Sequence, residues 1–456
     1  MKIIILGAGQ VGASVARNLA GDHDITVVDN NAKVLQELQT SVDLRTITGH
    51  ASHPEMLQQA GADDADMLLA VTSSDETNML ACQIAYNLFN TPTKIARVRQ
   101  PEYLKHPRLF GPDALHVDLL ISPEALVTRY IQRLIDYPEA LQVLDFADSK
   151  VQLVAIQASA QSPLIGHPLF KLHEDIPGAE SHIAAIYRQD RAIIPQQDDL
   201  IQCDDEVFFM AGSKHVSAVM TELGAEDRPA KRVIIGGGGN VGTRLAKTLE
   251  HDHHVKIIEF SRTRAQQISL ALDKSIVLEG SVTDEKLLEE ANIDGADVYC
   301  ALTHNDELNI LSAMLAKRLG VRKTMAIVNN VAYVDLVENS PIDIAIFPQQ
   351  ATIGALLAHV RRGDVVMVHT LRRGAAEAIE AIAHGDPNSS KVVGRTVEEV
   401  KLPPGATIGA IVRGEKIIMK DRNTAIEAGD HIILFLADRS RIREVESLFQ
   451  VGFSFF

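Results

Sequence analysis

Three glycines near the start of the chain stand at a spacing that suits phosphate binding. Gly7, Gly9 and Gly12 follow the apolar run Lys2 to Leu6 and open a segment with helical character. In a Gly-x-Gly-x-x-Gly loop, the first glycine allows a tight turn, the second lets the backbone approach a pyrophosphate, and the third lets the helix pack closely on the strand. Backbone N–H groups at the start of that helix then point at the anion. The sequence therefore predicts a nucleotide-type phosphate loop here.

The same pattern recurs in the second half of the chain. Gly237, Gly239 and Gly242 follow their counterparts at an offset of 230 residues (237 − 7), and the offset also relates the acids Asp29 and Glu259 (259 − 29). A carboxylate at a strand end can accept hydrogen bonds from ribose hydroxyls and would repel a 2′-phosphate. NAD(H) or an adenine nucleotide is therefore favoured over NADP(H), and a nucleotide-binding unit is duplicated within one polypeptide.

Three further side chains could reach a ligand in the first unit. Ser73 and Ser74 follow the predicted fourth strand, where they could donate hydrogen bonds to phosphate or ribose or could equally cap the next helix. Arg97 ends the predicted fifth strand and could supply positive charge toward phosphates, whereas its counterpart is Ile327 (97 + 230). We therefore expect two unequal sites, of which the first is better equipped.

Residues for catalysis are not gathered at any point of the sequence. A dehydrogenase needs a proton donor beside the nicotinamide, but the 17 histidines are scattered, and there is no Tyr-x-x-x-Lys pair, nucleophile elbow or metal-spaced cluster. His251, Asp252, His253 and His254 fall in a polar turn before a strand, where we expect solvent exposure. We expect no catalytic residue, no metal site and no enzyme activity.

Composition indicates the fold class and argues against several kinds of partner. Of 456 residues, 46% are hydrophobic but only 4% are aromatic, which favours the aliphatic cores of buried parallel sheets. A net charge of −16 without a basic stripe argues against a nucleic-acid surface and against direct binding or insertion into anionic lipid. Cys82, Cys203 and Cys300 lie in apolar runs of the sequence, so we expect each of them to be buried in the protein core. Their wide separation suggests a protein that works in a reducing compartment. Because no apolar stretch approaches the roughly 18 residues of a membrane span, a cytosolic location is expected.

The elements that position these residues alternate regularly over the first 120 residues. Apolar runs separated by helical segments predict a doubly wound parallel sheet of the Rossmann type, and the second copy preserves the order. The predicted strands of the first copy are Lys2 to Leu6, Ile25 to Val28, Leu44 to Thr48, Asp66 to Val71, Lys94 to Val98 and His116 to Ile121. Proline-headed helices are predicted at Pro123 to Leu134 and Pro348 to Arg361.

Segments of a different character follow each Rossmann-like unit. Their short strands and turn clusters predict small α+β domains, so the fold class is α/β with two tandem Rossmann-like sheets, each followed by a small domain. The predicted nucleotide-binding domains span 1–138 and 231–363, and the small domains span 139–225 and 364–456. The polar stretch Glu222 to Lys231 is the predicted linker between the halves.

The combination of these features resembles a known family. Two glycine loops with strand-end acids, two Thr-x-x-Asp-Glu-x-Asn segments (Thr72 to Asn78 and Thr303 to Asn309) and appended small domains resemble the regulator-of-potassium-conductance family. The doubled arrangement is similar to the regulatory subunits of bacterial Trk potassium-uptake systems. The resemblance implies NAD(H) binding, with ATP and ADP as competitors, and a ring, expected to be a tetramer, whose shape gates a membrane pore.

The same resemblance implies a partner and a set of ligand-binding residues. The partner is an integral membrane potassium-translocating subunit of the TrkH/TrkG type, which would hold the chain at the cytoplasmic side of the inner membrane. The implied binding residues, together with those reasoned above, are Gly7, Ala8, Gly9, Gln10, Val11, Gly12, Asp29, Ser73, Ser74, Arg97, Val98, Gly237, Gly238, Gly239, Asn240, Val241, Gly242 and Glu259. The second copy has His304 and Asn305 in place of the serine pair, so its ligand stays open.

Two other functions are compatible with the sequence. An NAD-dependent oxidoreductase would reveal itself by turning over NADH with a small carbonyl substrate. A soluble nucleotide sensor acting on a non-membrane partner would fail to co-purify with a transporter subunit.

Overall fold

The computed structural model of the chain divides into two compact units. One comprises Met1–Leu126 with Pro348–Ile353, and the other comprises Val127–Phe347 with Gly354–Phe456. The residues that the structure describes are 1–111, 114–160, 162–163, 165–167, 169, 181–189, 191–196, 198–226, 228–360, 364–371, 375–419 and 421–450. Arg361 of the predicted second proline-headed helix and Asp227 of the predicted linker lie outside them.

The first unit is built on a six-stranded parallel sheet. Its strands are β1 (Lys2–Leu6), β2 (Asp24–Asp29), β3 (Arg45–Thr48), β4 (Met67–Ala70), β5 (Thr93–Arg97) and β6 (Leu119–Ile121). The intervening helices are α1 (Gln10–Leu19), α2 (Ala32–Ser41), α3 (Pro54–Gln59), α4 (Asp75–Phe89) and α5 (Pro101–Leu104), and α6 (Pro123–Asp136) follows the last strand. The strand order is β3-β2-β1-β4-β5-β6, so the predicted doubly wound sheet is confirmed. The order reverses between β1 and β4, where such sheets open a crevice at the carboxyl ends of their strands.

The last strand of this sheet is shorter than predicted. β6 begins at Leu119 rather than at His116, and only Leu119, Leu120 and Ile121 pair with β5. The backbone N–H of His116 instead donates to the side-chain oxygen of Gln83 on α4, at 2.9 Å. A side chain of a neighbouring helix thus takes the place of a strand partner, which an apolar run in the sequence does not reveal.

An antiparallel sheet follows the first parallel one. Its strands are β7 (Ala140–Phe146), β8 (Val151–Gln157), β9 (Ser181–Arg188), β10 (Arg191–Ile193) and β11 (Glu206–Gly212), in the order β10-β9-β11-β8-β7, followed by α7 (Val216–Glu222). The predicted linker overlaps the end of α7 at Glu222, and Ala230 within it is 2% exposed in the hydrophobic core of the second unit. This part of the predicted linker is therefore packed and not solvated.

The second parallel sheet repeats the first. Its strands are β12 (Arg232–Gly236), β13 (His254–Glu259), β14 (Ile276–Glu279), β15 (Val298–Ala301), β16 (Lys323–Ile327) and β17 (Ile344–Ile346). Its helices are α8 (Asn240–Leu249), α9 (Arg262–Ala271), α10 (Glu285–Glu290), α11 (Asp306–Arg318) and α12 (Val334–Glu338), and α13 (Pro348–Val360) follows β17. The order β14-β13-β12-β15-β16-β17 matches that of the first sheet, as the duplicated sequence predicts.

A second antiparallel sheet completes the described chain. Its strands are β18 (Val365–Leu371), β19 (Ala376–Ile382), β20 (Ala406–Arg413), β21 (Lys416–Met419) and β22 (His431–Leu436), in the order β18-β19-β22-β20-β21, followed by α14 (Ile442–Leu448). Among the described helices, none is both long enough and apolar enough to cross a membrane.

The two antiparallel sheets pack against each other within the second unit. Phe208 of β11 and Phe435 of β22 have ring centroids 5.6 Å apart in a core shared by both sheets. Glu380 of β19 is only 2% exposed and accepts a hydrogen bond from the backbone N–H of Ala147 at 2.9 Å. The small domains are therefore docked on one another and are not independent appendages.

Cysteine burial corrects one sequence expectation. Cys82 and Cys300 are buried, and burial raises the pKa of each thiol to about 12. Cys203 is exposed, contrary to prediction, because it lies in the turn that precedes β11, next to Asp204 with a φ of 67°. An apolar neighbour in sequence does not keep a turn residue inside the core.

Candidate functional site

The first glycine loop joins the carboxyl end of β1 to the start of α1, and its glycines meet different demands. Gly7 has a φ of 103°, which favours glycine, and a Cβ there would lie 3.0 Å from the backbone of Thr72. A Cβ on Gly12 would lie 1.8 Å from the carbonyl oxygen of Gly7, so α1 can approach β1 only if this residue has no side chain. These two glycines are required by the fold itself.

Gly9 is not required by any contact of the described chain. Its φ of −65° suits any residue, and a Cβ there would meet no described heavy atom within 4 Å. The open space lies at the first residue before α1, where free backbone N–H groups and the helix dipole attract an anion. A Cβ on Gly9 would intrude into this space, so the loop fits a phosphate-bearing cofactor.

The second glycine loop has the same construction at the carboxyl end of β12. Gly237 has a φ of 109°, a Cβ on Gly242 would lie 2.0 Å from the Gly237 carbonyl oxygen, and a Cβ on Gly239 would meet no described atom within 4 Å. One position differs, because a Cβ on Gly238 would lie 2.2 Å from the side chain of Ile268, whereas the first loop carries Ala8. Both loops therefore offer the same open cradle.

The strand-end acids are hydrogen-bonded to the glycine loops. Asp29 accepts from the backbone N–H of Ala8 at 2.6 Å and from that of Asn31 at 2.8 Å. Glu259 does the same with Gly238 and Ser261, each at 2.8 Å. These bonds fix each half-buried carboxylate beside the loop, and each oxygen retains a lone pair that could accept from a ribose hydroxyl.

A Thr–Asn brace holds the loop after β4, and an identical one holds the loop after β15. The side-chain oxygen of Asn78 accepts from the backbone N–H of Thr72 at 2.9 Å and from its hydroxyl at 2.7 Å, while its amide donates to the Arg97 carbonyl at 2.9 Å. Asn309 makes the corresponding bonds to Thr303 and to the Ile327 carbonyl at 2.8, 2.7 and 2.9 Å. The repeated Thr-x-x-Asp-Glu-x-Asn segment therefore has the same structural role in both copies.

The aspartates of these segments extend the brace to the next strand. Asp75 is 3% exposed and accepts from the backbone N–H groups of Arg99 and Gln100 at 2.9 and 2.8 Å. Asp306 accepts from those of Asn329 and Asn330 at 2.9 and 2.7 Å. The loops after β4 and β5, and those after β15 and β16, are therefore tied together at the carboxyl edge of each sheet, the edge that binds ligands in sheets of this type.

The two serines after β4 have different roles: one caps the next helix, and the other is free to reach solvent or a ligand. The Ser74 hydroxyl accepts from the backbone N–H of Thr77 at 3.1 Å and donates to Glu76 at 2.9 Å, so Ser74 is the N-cap of α4. Ser73 is exposed, and its carbonyl accepts from the Arg99 guanidinium. In the second copy Asn305 caps α11 through the Leu308 N–H at 2.7 Å, and His304 is exposed.

Arg97 and Val98 are placed differently from what the sequence suggested. Arg97 pairs with Glu124 at 3.7 Å, and burial lowers the pKa of its guanidinium. No contact among the described residues joins it to the glycine loop. Val98 is fully buried in the core of the first unit. Ile327, the counterpart of Arg97, is 6% exposed.

Other side chains near the loops were not singled out from the sequence. Arg264 donates from Nε to the Gly238 carbonyl at 3.0 Å, where the first copy has Val34 (264 − 230), and Phe260, directly after Glu259, is 80% exposed. Arg99, 3.5 Å from Asp75, has the neutral counterpart Asn329. Aligning the halves at offset 230 would have shown both changes of charge.

Comparison with known proteins agrees with the duplication of the parallel-sheet units. The family model described as the TrkA-N domain matches residues 3–123 and 233–348, and the TrkA-C domain matches residues 386–450. The chain is 57% identical over 457 residues to the Trk system potassium uptake protein TrkA of Halomonas elongata, covering 100% of both chains. The chain belongs to the TrkA family. The Vibrio alginolyticus TrkA is 56% identical over 452 residues, covering 99% of both chains.

Solved structures agree with the fold of this TrkA-family chain. A structure titled "Crystal Structure of the GsuK RCK domain" has a TM-score of 0.61 at 18% identity, covering 98% of this chain and 94% of that one. The structure titled "GsuK channel bound to NAD" also has a TM-score of 0.61, at 17% identity, with 98% and 78% covered. At such identities the likeness concerns the fold alone.

Proposed function

We propose that this chain is a cytosolic nucleotide-sensing subunit that gates a membrane potassium-uptake pore. The observation that carries the proposal is the pair of glycine loops. Gly9 and Gly239 leave open space at the start of a helix, although a Cβ at either position would meet no described atom within 4 Å, so packing of the described chain does not require a glycine there. Each cradle lies beside a fixed carboxylate, Asp29 or Glu259. Membership of a potassium-uptake family gives these two sites a regulatory context.

The proposed ligand is NAD(H), with ATP and ADP as competitors. Two solved structures of the same fold have titles that describe GsuK bound to NAD and GsuK bound to ADP. In the first site Gly7 to Gly12 would hold phosphates through backbone N–H groups, and Asp29 would accept from ribose. Gly237 to Gly242 and Glu259 would do the same in the second site. Ser73, Ser74, Arg97 and Val98 would border the first pocket, with Val98 contributing through its backbone.

The two sites are proposed to differ in ligand preference. The first copy has Arg97 and Arg99 at and after the carboxyl end of β5, where the second copy has Ile327 and Asn329. Only the second copy has Arg264 bonded to its loop and the exposed ring of Phe260. Phe260 directly follows the acid that would hold ribose, so its ring could stack on an adenine. One chain would then respond to two nucleotides, or to their ratio, without catalytic residues.

The proposed assembly is a tetrameric ring attached through a TrkH/TrkG-type subunit to the cytoplasmic side of the inner membrane. Exposed leucines on helices suit self-association: Leu80 and Leu88 of α4 are 50% and 59% exposed, and Leu311 of α11 is 57% exposed. Shifting a ring with two conformations from a 1:99 to a 99:1 ratio of open to closed states needs ligands that bind the open state about 10⁴-fold more tightly in total. With eight sites in a tetramer, each site would need to bind the open state only about 3-fold more tightly than the closed state.

The proposed domain division keeps the sequence boundaries. Nucleotide-binding domains at 1–138 and 231–363 and small α+β domains at 139–225 and 364–456 each contain one of the four sheets.

Potassium uptake in cells that depend on this chain tests the proposal. Gly9→Asp would place a carboxylate in the first cradle and should reduce uptake. Gly21→Asp is the matched control, because a Cβ there also meets no described atom within 4 Å but the residue lies beyond the end of α1, away from the loop. Equal uptake in the two variants, with equal protein levels, would exclude nucleotide gating through the first site.

A further inference from the structure

A cavity of about 360 Å³ lies within the second unit, away from both glycine loops. Its walls come from the start of β7 and the end of β8, and its floor comes from the amino ends of β16 and β17. The second glycine loop lies at the opposite, carboxyl edge of that parallel sheet. Nothing in the nucleotide-sensing role uses this cavity.

Two adjacent basic side chains lie at the floor of the cavity. Lys323 is 5% exposed, and its ammonium donates to the carbonyls of Ala140 at 2.8 Å and Leu134 at 3.3 Å, which leaves a third donor for another acceptor. Arg322 donates from Nη2 to the carbonyl of Arg228 at 3.0 Å. Its Nε and Nη1 atoms are buried and have no hydrogen-bond partner among the described residues.

Unpaired buried donors of this kind are unfavourable unless something accepts from them. The acid nearest the floor does not fill that role, because Asp343 is engaged by the Lys317 ammonium, with both oxygens at 2.7 Å, and by the backbone N–H of Thr324 at 2.7 Å. Glu139 and Asp204 also line the cavity, but both are exposed to solvent at its rim. Asp297 lies within electrostatic reach of Arg322, but its Oδ2 is engaged by the backbone N–H groups of Lys231 and Arg232 at 2.7 and 2.9 Å. The Arg322 donors at the floor therefore stay without an acceptor among the described residues.

The arrangement selects for a compact anion. A planar guanidinium offers parallel N–H groups that match two oxygens of a phosphate or carboxylate, and an ammonium adds a point charge. The exposed acids at the rim would repel a long polyanion such as a nucleotide but act weakly on a small ion at the floor, since water screens them. We propose that the cavity binds a compact oxyanion, bearing phosphate or carboxylate groups, on Arg322 and Lys323.

The position of the cavity gives such binding a route to the nucleotide site. Lys323 begins β16, and Ile327 at the other end of the same strand bonds through its carbonyl to the Asn309 brace. Four residues of strand span roughly 13 Å. An anion at the floor and a nucleotide at the carboxyl edge would therefore act on the two ends of one rigid element.

Binding should also take up protons. Burial lowers the pKa of Lys323 to about 7, with Asp343 and Glu139 raising it, Arg322 lowering it and the buried Cys300 thiol nearby. An anion on the floor stabilises the ammonium, so at pH 8 each binding event should draw a fraction of a proton from the buffer. At pH 6 the ammonium is already charged, so Lys323 should draw almost none, which a titration with succinate at both pH values would show.

Calorimetric titration of the full-length protein with sodium phosphate, and separately with sodium succinate, at constant ionic strength tests the inference. Arg322→Gln should weaken the binding by about 10-fold to 100-fold, the range for losing hydrogen bonds to a charged group. Arg318→Gln is the matched control, because this arginine is 66% exposed and pairs only with Glu285 among the described side chains. Phosphate binding at the glycine loops would be common to both variants and cancels in the comparison.

A second variant covers the case in which Arg322→Gln does not fold. Ala225→Glu would add a carboxylate to the lining of the cavity and should abolish the same binding event through charge repulsion and loss of space. Tighter binding of phosphate than of succinate would assign a phosphate-bearing ligand, and the reverse would assign a carboxylate. Equal anion affinity in the Arg318→Gln, Arg322→Gln and Ala225→Glu variants, or binding without proton uptake at pH 8, would overturn the proposal.

Discussion

The same substitution at two glycines of one loop should have opposite consequences. Gly9→Ser adds a hydroxymethyl group at a helix N-cap, where serine is a favoured residue and where no described atom lies within 4 Å of the new Cβ. We expect its unfolding free energy to stay within about 1 kcal/mol of the parent. Gly12→Ser puts the same group 1.8 Å from the carbonyl oxygen of Gly7.

The expected magnitudes follow from those distances. The contact at Gly12 is with backbone, which cannot rotate away, so the cost should reach about 3 kcal/mol, the upper end of the range for overpacking. For a unit of this size that is a fall in melting temperature of about 10 °C. In Gly9→Ser the side chain would occupy the phosphate approach, so affinity for NADH should fall about 10-fold to 100-fold, equivalent to one lost charge-assisted hydrogen bond.

Differential scanning fluorimetry and calorimetric NADH titration on both variants would measure these effects. To keep the second site out of the comparison, each variant also carries Gly239→Asp. If Gly9→Ser binds NADH as tightly as its parent, the cradle is not where the pyrophosphate lies. If Gly12→Ser melts at the parent temperature, the close approach of α1 to β1 does not constrain this residue.

Three further outcomes are expected. Asn78→Ala should lower the unfolding free energy by about 2–4 kcal/mol, because it leaves several buried groups of the brace unpaired. An unchanged melting temperature in this variant would show that the brace does not stabilise the fold. Burial lowers the pKa of Lys323 to about 7, so between about pH 7 and 10.5 the unfolded state binds more protons than the folded state. Lys323 therefore makes the unfolding free energy rise with pH in that window. Lys323→Met should remove this part of the rise, as measured by urea unfolding at a series of pH values. A thiol reagent should label Cys203 in the native protein and the other two cysteines only after denaturation, and rapid labelling of all three would contradict their burial.

The parallel sheets could be predicted because their signals are local. Central strands of such sheets are buried on both faces, so they appear as continuous apolar runs, and Ile3 to Leu6 are all at most 2% exposed. The glycine positions and the acid that ends β2 added a fixed geometry at the sheet edge. The length of β6 could not be predicted, since it depends on Gln83 of a neighbouring helix.

The details of the site depend on contacts between distant segments. Whether Ser74 bonds a ligand or caps α4 is decided by the position of the Thr77 N–H, and Arg97 at the end of β5 pairs with Glu124 on α6. The shared core of the two small sheets was equally hidden, because both faces of their strands are apolar and the sequence does not say which partner each face meets. Arg264 was visible only as a difference from Val34.

Calorimetric titration of the full-length protein with NADH and with ATP, in the parent, Gly9→Asp and Gly239→Asp forms, would show whether each glycine loop is a separate nucleotide sensor. We expect two unequal binding events per chain, of which Gly9→Asp removes one and Gly239→Asp removes the other. A single class of identical sites, or two events that both survive either substitution, would contradict the assignment of two unequal sensors to the two glycine loops.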